Sequence, residues 1–155
     1  VGNDRNRVGS FSEANAVLVE FFRSPLTEGN EFVEIDPDKA QVNVLISPSK
    51  DSDKQLLELN FIYYTYNLEK SATYPPKTGA QAFDELKAGN AYVASGANEE
   101  FEKIKITKTL IAYLNPNTDQ RTLQQVYVFE GLGEKDGESK PFVAYVPVLS
   151  SEYLR

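Results

Sequence analysis

The sequence predicts an α+β fold in which a helix packs on an antiparallel sheet, arranged as two related helix-plus-meander lobes. Two segments carry helix-capping residues and a helical spacing of apolar side chains. Most other segments alternate apolar and polar residues, as strands do. The order of a helix followed by strands occurs twice, from Ser10 to Asn67 and from Thr78 to Leu149. A duplicated unit and two unrelated α+β segments explain this order almost equally well.

The first predicted helix runs from Ser10 to Ser24. Ser10 and Glu13 have the spacing of a capping box, in which each side chain bonds to the backbone of the other residue. Pro25 ends the helix, because proline disfavours a helical conformation in the residue before it. The apolar residues that follow helical spacing, and would form one buried stripe, are Ala14, Val17, Leu18, Phe21 and Phe22.

Three strands are predicted after this helix. The turn between the first two is Asp36-Pro37-Asp38, and a polar loop precedes the third. The predicted strands are Glu31–Ile35, Gln41–Ile46 and Gln55–Asn67. With the helix they form an N-terminal lobe of residues 10–72, and the polar residues 1–9 before it indicate a linker or frayed terminus.

The C-terminal lobe, residues 73–155, begins with a second predicted helix at Gly79–Ala88. Thr78 and Gln81 again have capping-box spacing, and Gly89 lies where a left-handed C-terminal cap is expected. The strands predicted after it are Ala91–Ser95, Phe101–Leu114, Thr122–Glu130 and Pro141–Leu149. Short turns at residues 115–117 and 134–137 join the last three into an antiparallel meander, with the helix across one face.

Composition excludes several classes of function. The chain has 155 residues and a net charge of −7, which disfavours a nucleic-acid phosphate backbone as a ligand. No apolar run approaches the ~20 residues of a membrane-spanning helix, so we expect no membrane insertion. Cys and His are both absent, which excludes the usual zinc, copper, haem and iron–sulfur sites and the Ser–His and Cys–His nucleophile pairs. We therefore expect no cofactor.

Oxygen chemistry is the remaining route to a catalytic or metal site. Adjacent acids such as Asp84 and Glu85 do not fix a pair of carboxyl groups across a cleft, so they predict no glycosidase-type site. Asp36-Pro37-Asp38 and Asp51-Ser52-Asp53 lack the length, glycine and glutamate of a calcium loop, and are better explained as turns. The sequence thus predicts no catalytic residue and no metal site.

Tyrosine is the enriched polar aromatic residue, with nine copies that lie largely in predicted strands. Tyr suits protein interfaces because it buries a large area at low entropic cost and keeps a polar tip. Tyr is also a good strand residue, so core packing is favoured for most of the nine and a surface position for a minority. The tyrosines selected as candidate protein contacts are Tyr64, Tyr66, Tyr127 and Tyr145.

The C-terminal half carries a pattern of motifs from Tyr74 to Leu149. A helix with the sequence Ala82-Phe83-Asp84-Glu85-Leu86-Lys87-Ala88-Gly89 is followed by Val126-Tyr127-Val128-Phe129-Glu130-Gly131 and Ala144-Tyr145-Val146-Pro147. This pattern resembles the PepSY-like and YycI-type domains of bacterial membrane-anchored proteins. One departure is Gln125, where the pattern expects proline. The resemblance implies an extracytoplasmic regulatory or interaction domain without catalytic residues.

The leading hypothesis is therefore a non-enzymatic, extracytoplasmic protein-interaction domain of a membrane-anchored bacterial protein, whose partner is another membrane or envelope protein. A chain without Met lacks its own initiator, so we expect Val1 to be a processed or trimmed end, tethered by a preceding segment. A structural subunit of a surface layer, an appendage or a larger assembly is one alternative. A peptidase-inhibitor-like module is another, by analogy of fold. The sequence identifies neither the partner nor the oligomeric state.

Overall fold

A computed structural model shows a mostly β protein with two sheets, one of which is a curled half-barrel. Strands make up 41% of it and helices 11%, with one α-helix among the described residues. The α+β prediction of two helix-plus-meander lobes is therefore wrong. The predicted linker at 1–9 lies mainly outside the described residues, which are 1, 8–67, 69–120 and 122–153.

The chain divides into two compact units, each built from two separate stretches of sequence. Unit 1 consists of Val1–Phe22 and Lys39–Tyr64, and unit 2 of Arg23–Asp38 and Thr65–Arg155. The predicted lobes at 10–72 and 73–155, by contrast, are consecutive along the chain.

Unit 1 is built around a three-stranded antiparallel sheet in the order β1-β3-β4. Its strands are β1 (Val17–Phe21), β3 (Val42–Ile46) and β4 (Leu56–Phe61), and short 3₁₀ turns lie at Phe11–Glu13 and Ser52–Lys54. The pairing between β3 and β4 has a register shift beside Ile46, where Leu57 is the additional residue of β4.

The helix predicted at Ser10–Ser24 is wrong, because this segment forms one 3₁₀ turn followed by β1. Ser10 and Glu13, which have capping-box spacing, are joined only by a backbone hydrogen bond of that turn, in which the Glu13 amide donates to the Ser10 carbonyl at 3.3 Å. Beyond it, the β-branched and aromatic residues of Val17–Phe21 also fit strand alternation. Five residue pairs with β3 decide between the two patterns.

Unit 2 contains a five-stranded sheet in the order β2-β6-β7-β8-β5. β2 runs parallel to β6, and the other neighbouring pairs are antiparallel. The strands are β2 (Phe32–Glu34), β5 (Tyr92–Ser95), β6 (Lys103–Asn115), β7 (Gln125–Lys135) and β8 (Glu138–Pro147). β7 lies at the centre and is buried on both faces, with Phe129 in one core cluster and Val128 in the other.

The helix predicted at Gly79–Ala88 is confirmed as α1 (Gly79–Lys87), with both hydrogen bonds of the Thr78–Gln81 capping box present. Gly89 ends it with φ of 77°, in the left-handed region that glycine adopts without strain. Ala82 is fully buried and joins α1 to the core around Phe129. No helix in the described part of the chain has the length and hydrophobicity needed to span a membrane.

The hairpin between β7 and β8 is confirmed at its Asp-Gly turn. Asp136 and Gly137 have φ of 51° and 78°, so both central residues are left-handed, as a two-residue type I′ turn requires. The connection between β6 and β7 is longer than the predicted turn, because β6 ends at Asn115 and β7 begins at Gln125.

Candidate interaction surface

One face of the sheet in unit 1 is apolar across all three strands. Residues paired between neighbouring strands point to the same side of a sheet, so the register assigns each side chain to a face. The side chains of this apolar face form three rows across β1, β3 and β4: Phe21, Val42 and Phe61; Val19, Val44 and Leu59; Val17, Ile46 and Leu56.

The apolar face is exposed to an unusual extent for such residues. Phe61 is 68% exposed, Leu56 58%, and Phe21 and Leu59 55% each. Large aliphatic and aromatic side chains are normally among the most buried in a folded protein. A contiguous patch of this kind indicates a site of contact with another molecule.

The opposite face of the same sheet is largely polar and internally hydrogen-bonded. Asn60 donates from Nδ2 to Oδ1 of Asn43 at 3.0 Å and to Oε1 of Glu58 at 2.8 Å. Glu20 accepts a hydrogen bond from the Ala40 amide at 3.1 Å. Leu18 and Leu45 also lie on this face, so the sheet has one wholly apolar face and one mainly polar face.

β4 is an edge strand as well as part of the apolar face, and every one of its six residues is exposed. An exposed, largely apolar edge presents unpaired backbone groups to which a further strand can be added. The edge strands of the other sheet are shorter, with three residues in β2 and four in β5.

The structure separates the four tyrosines proposed as contacts. Tyr64 is half-buried and belongs to unit 1, whereas Tyr66 is half-buried in unit 2. The Tyr66 ring is stacked with Phe32, with centroids 6.2 Å apart. The guanidinium carbon of Arg23 lies 4.9 Å from the centroid of Tyr66 and 5.1 Å from that of Phe32. Tyr66 therefore takes part in a cation–π cluster of unit 2.

Tyr127 and Tyr145 lie in the core, at 9% and 3% exposure. The Tyr127 hydroxyl donates to the Lys77 carbonyl at 2.7 Å, and the Tyr145 hydroxyl donates to the Glu34 carbonyl at 2.8 Å. Burial raises the pKa of Tyr145 well above its ordinary value. Both are structural residues in this fold and offer no surface to a partner.

Tyrosines with well-exposed side chains lie elsewhere. Tyr63 and Tyr92 are each 56% exposed, and the Tyr63 ring lies 6.3 Å from that of Phe61. Tyr63 therefore extends the apolar face. The sequence feature that predicts this surface is the alternation of apolar and polar residues around Leu59, Phe61 and Tyr63. The enrichment in tyrosine does not predict it.

A second apolar feature lies beside α1 in unit 2. It is a groove of about 320 Å³ between the C-terminal half of the helix and the sheet. Phe83, Leu86, Ile104 and Phe142 contribute to its lining, and Phe83 and Ile104 are 40% and 44% exposed. The groove suits an apolar side chain better than a charged group.

The acidic turns do not form ion sites in the described part of the chain. No group of three His, Cys, Asp or Glu residues is arranged there to hold a metal ion. Asp36 accepts the Asp38 amide at 3.1 Å, and Asp51 pairs with Lys54 at 2.9 Å. Both are ordinary turn contacts.

Comparison of the chain with protein-family models, with curated proteins and with solved structures gives no significant match. The resemblance to PepSY-like and YycI-type domains over residues 74–149 stays a prediction from the sequence.

Proposed function

We propose that this chain is a non-enzymatic protein-interaction domain and that the apolar face of unit 1 is its contact surface. One observation carries the proposal: all nine side chains of this face are aliphatic or aromatic, and four of them, Phe21, Leu56, Leu59 and Phe61, are more than half exposed. Removing such side chains from water is the main favourable term in protein association. A hydrophobic centre with a polar surround is also the usual anatomy of an interface.

The sheet gives this surface a rigid support. Five residue pairs join β1 to β3, and β4 pairs along the other side of β3. On the polar face, Asn60 of β4 also donates a side-chain hydrogen bond to Asn43 of β3. Contact residues on paired strands are already ordered, so binding loses less conformational entropy than it would with loops.

The proposal places the domain outside the cytoplasm, in a membrane-anchored bacterial protein whose partner is another envelope protein. The absence of Cys from the sequence and the resemblance over residues 74–149 support this location. A structural subunit of a larger assembly is the second candidate. The exposed edge of β4 favours it, because edge strands of neighbouring subunits can pair.

A photo-crosslinking amino acid at position 61, in cells that produce the protein, tests the proposal. The matched control carries the same amino acid at position 58, which is exposed on the same strand but points to the polar face. We expect a discrete covalent adduct from position 61 and little or none from position 58. Adducts of equal yield from both positions, or none from either, would show that the apolar face is not a contact surface.

A further inference from the structure

We infer that the apolar face binds the same face of a second copy of this chain, forming a twofold symmetric dimer. This inference rests on the proposed function, and it assigns the contact surface to a second copy of the chain instead of a different envelope protein. Two sheets that each have one apolar face bury both faces at once when they stack about 10 Å apart. The product is a β-sandwich of two three-stranded sheets, with the polar faces outward.

The exposed area is close to what a stable dimer needs. The seven most exposed of these residues, Tyr63 included, are 39% to 68% exposed, and at about 150–200 Å² for each side chain they present roughly 550–750 Å² per copy. A standard-size interface buries about 800 Å² per partner. The face therefore supplies most of the area of a standard-size interface.

The sizes of the side chains match under one simple symmetry. Consider a twofold axis that lies midway between the two sheets, perpendicular to the strands, and passes through Val44. This axis places the row of Phe21, Val42 and Phe61 in one copy over the row of Val17, Ile46 and Leu56 in the other. Phe21 then lies over Val17 of the second copy, and Phe61 over its Leu56. Large residues meet smaller ones, which allows close packing without overlap. The small Val44 meets its own copy at the axis.

The charge pattern permits this association. Each chain has a net charge of −7, which makes two copies repel each other at long range. The apolar face itself carries no charged side chain, and the acids of β1 and β4, Glu20 and Glu58, lie on the opposite face. No like charges are brought together inside the proposed interface.

Sedimentation equilibrium of the full chain over a concentration series measures the association. The test variant is Leu59→Lys/Phe61→Lys, and the control is Glu58→Gln/Asn60→Lys on the polar face of the same strand. Both raise the net charge by two, so a change in general charge repulsion would affect them equally. We expect the wild type and the control to dimerise, and the dissociation constant of the test variant to rise about 30-fold or more. Far-UV circular dichroism checks that both variants keep their strands.

The symmetry is tested with Val44→Cys, since the chain has no other cysteine. Copper-catalysed oxidation by dioxygen should join two copies through a disulfide at Val44→Cys, as facing sheets of a β-sandwich can be joined, but not at Leu45→Cys, which faces the other way. A wild-type chain that stays monomeric at its highest soluble concentration would overturn the dimer, as would equal loss of association in both lysine variants.

The adduct at position 61 separates the two proposals. A self-adduct supports both, an adduct with a different protein supports only the interaction domain, and no adduct overturns both.

Discussion

The side-chain amide of Asn115 donates from Nδ2 to both carboxylate oxygens of Glu34, at 3.0 Å each, across 81 positions of sequence. Glu34 is 6% exposed and Asn115 4%. The two residues are register partners at the end of the parallel pair β2 and β6. Tyr145 reaches the same point from β8, through its bond to the Glu34 carbonyl. This buried polar cluster attaches the separate segment at 23–38 to the rest of unit 2.

Asn115→Ala should lower the free energy of unfolding of unit 2 by about 2–3 kcal/mol, because a buried carboxylate loses two hydrogen bonds. Chemical denaturation followed by far-UV circular dichroism measures the loss. Asn117→Ala is the matched control, since Asn117 is exposed two positions further along the same connection. Equal stability of both variants would contradict a stabilising role for the Glu34–Asn115 pair.

Local signals in the sequence predicted local structure well. The Thr78–Gln81 capping box and Gly89 place α1 within one residue, because caps and helix act over a few neighbouring positions. The Asp136-Gly137 turn between β7 and β8 was predicted for the same reason. Both features depend on residues next to each other in the chain.

The fold class could not be predicted because it depends on distant pairing. Val17–Phe21 satisfies both a helical and an alternating pattern, and only β3, about 25 residues away, selects the strand. The parallel pairing of β2 with β6 leaves no mark in the sequence near Glu34. The candidate surface was missed for a related reason: alternation shows that Leu59 and Phe61 share a face, but does not show whether that face is covered.

Tyr145 should make stability fall at high pH. Its pKa in the folded state is raised above the ordinary 10.0, first by burial, then by the neighbouring phenol of Tyr92 and by nearby carboxylates. In the unfolded chain the phenol ionises near 10, so above that pH the unfolded state binds fewer protons and is stabilised relative to the folded state. The stability supplied by the neutral phenol is present below pH 10 and is lost as pH rises beyond it.

Tyr145→Phe tests this pH dependence. The variant should lose about 1 kcal/mol at neutral pH through the missing bond to Glu34, and its stability should fall less steeply above pH 10. Denaturation curves collected across this range measure both effects. Tyr74→Phe serves as control, because Tyr74 is 45% exposed and is not among the groups that raise the pKa of Tyr145. Parallel pH profiles for wild type and Tyr145→Phe would argue against a buried phenol.

Two glycines of β7 should differ in their tolerance of a methyl group. At Gly131 a Cβ atom would overlap the backbone carbonyl of Lys105, beside the register shift in β6, and backbone cannot move aside. At Gly133 it would overlap the Phe101 ring. Gly131→Ala should therefore lower the free energy of unfolding by about 2–3 kcal/mol. Gly133→Ala should lower it by less when it is made in the Phe101→Ala variant and compared with that variant, because the ring is then absent.

The measurement for both glycines is the midpoint of chemical denaturation. Gly79→Ala is the control, because its new Cβ would lie 3.9 Å from Tyr127, at an ordinary contact distance. It should leave stability unchanged or slightly raised, as alanine favours the helical conformation. If Gly131→Ala were as stable as Gly79→Ala, the close approach of β6 and β7 would be wrong.

Self-association through the apolar face should strengthen with salt. Two chains of net charge −7 repel each other, and the screening length falls from about 10 Å at 0.1 M to about 3 Å at 1 M ionic strength. The contact itself is apolar and has no ion pair to lose.

Sedimentation equilibrium across this range should show a dissociation constant that falls several-fold for the wild type and the control Glu58→Gln/Asn60→Lys. Leu59→Lys/Phe61→Lys should stay at least about 30-fold weaker than the wild type at every salt concentration, because screening cannot replace the lost apolar contact. A wild-type dimer that weakens as salt rises would instead indicate an interface held by charge, which would exclude this face.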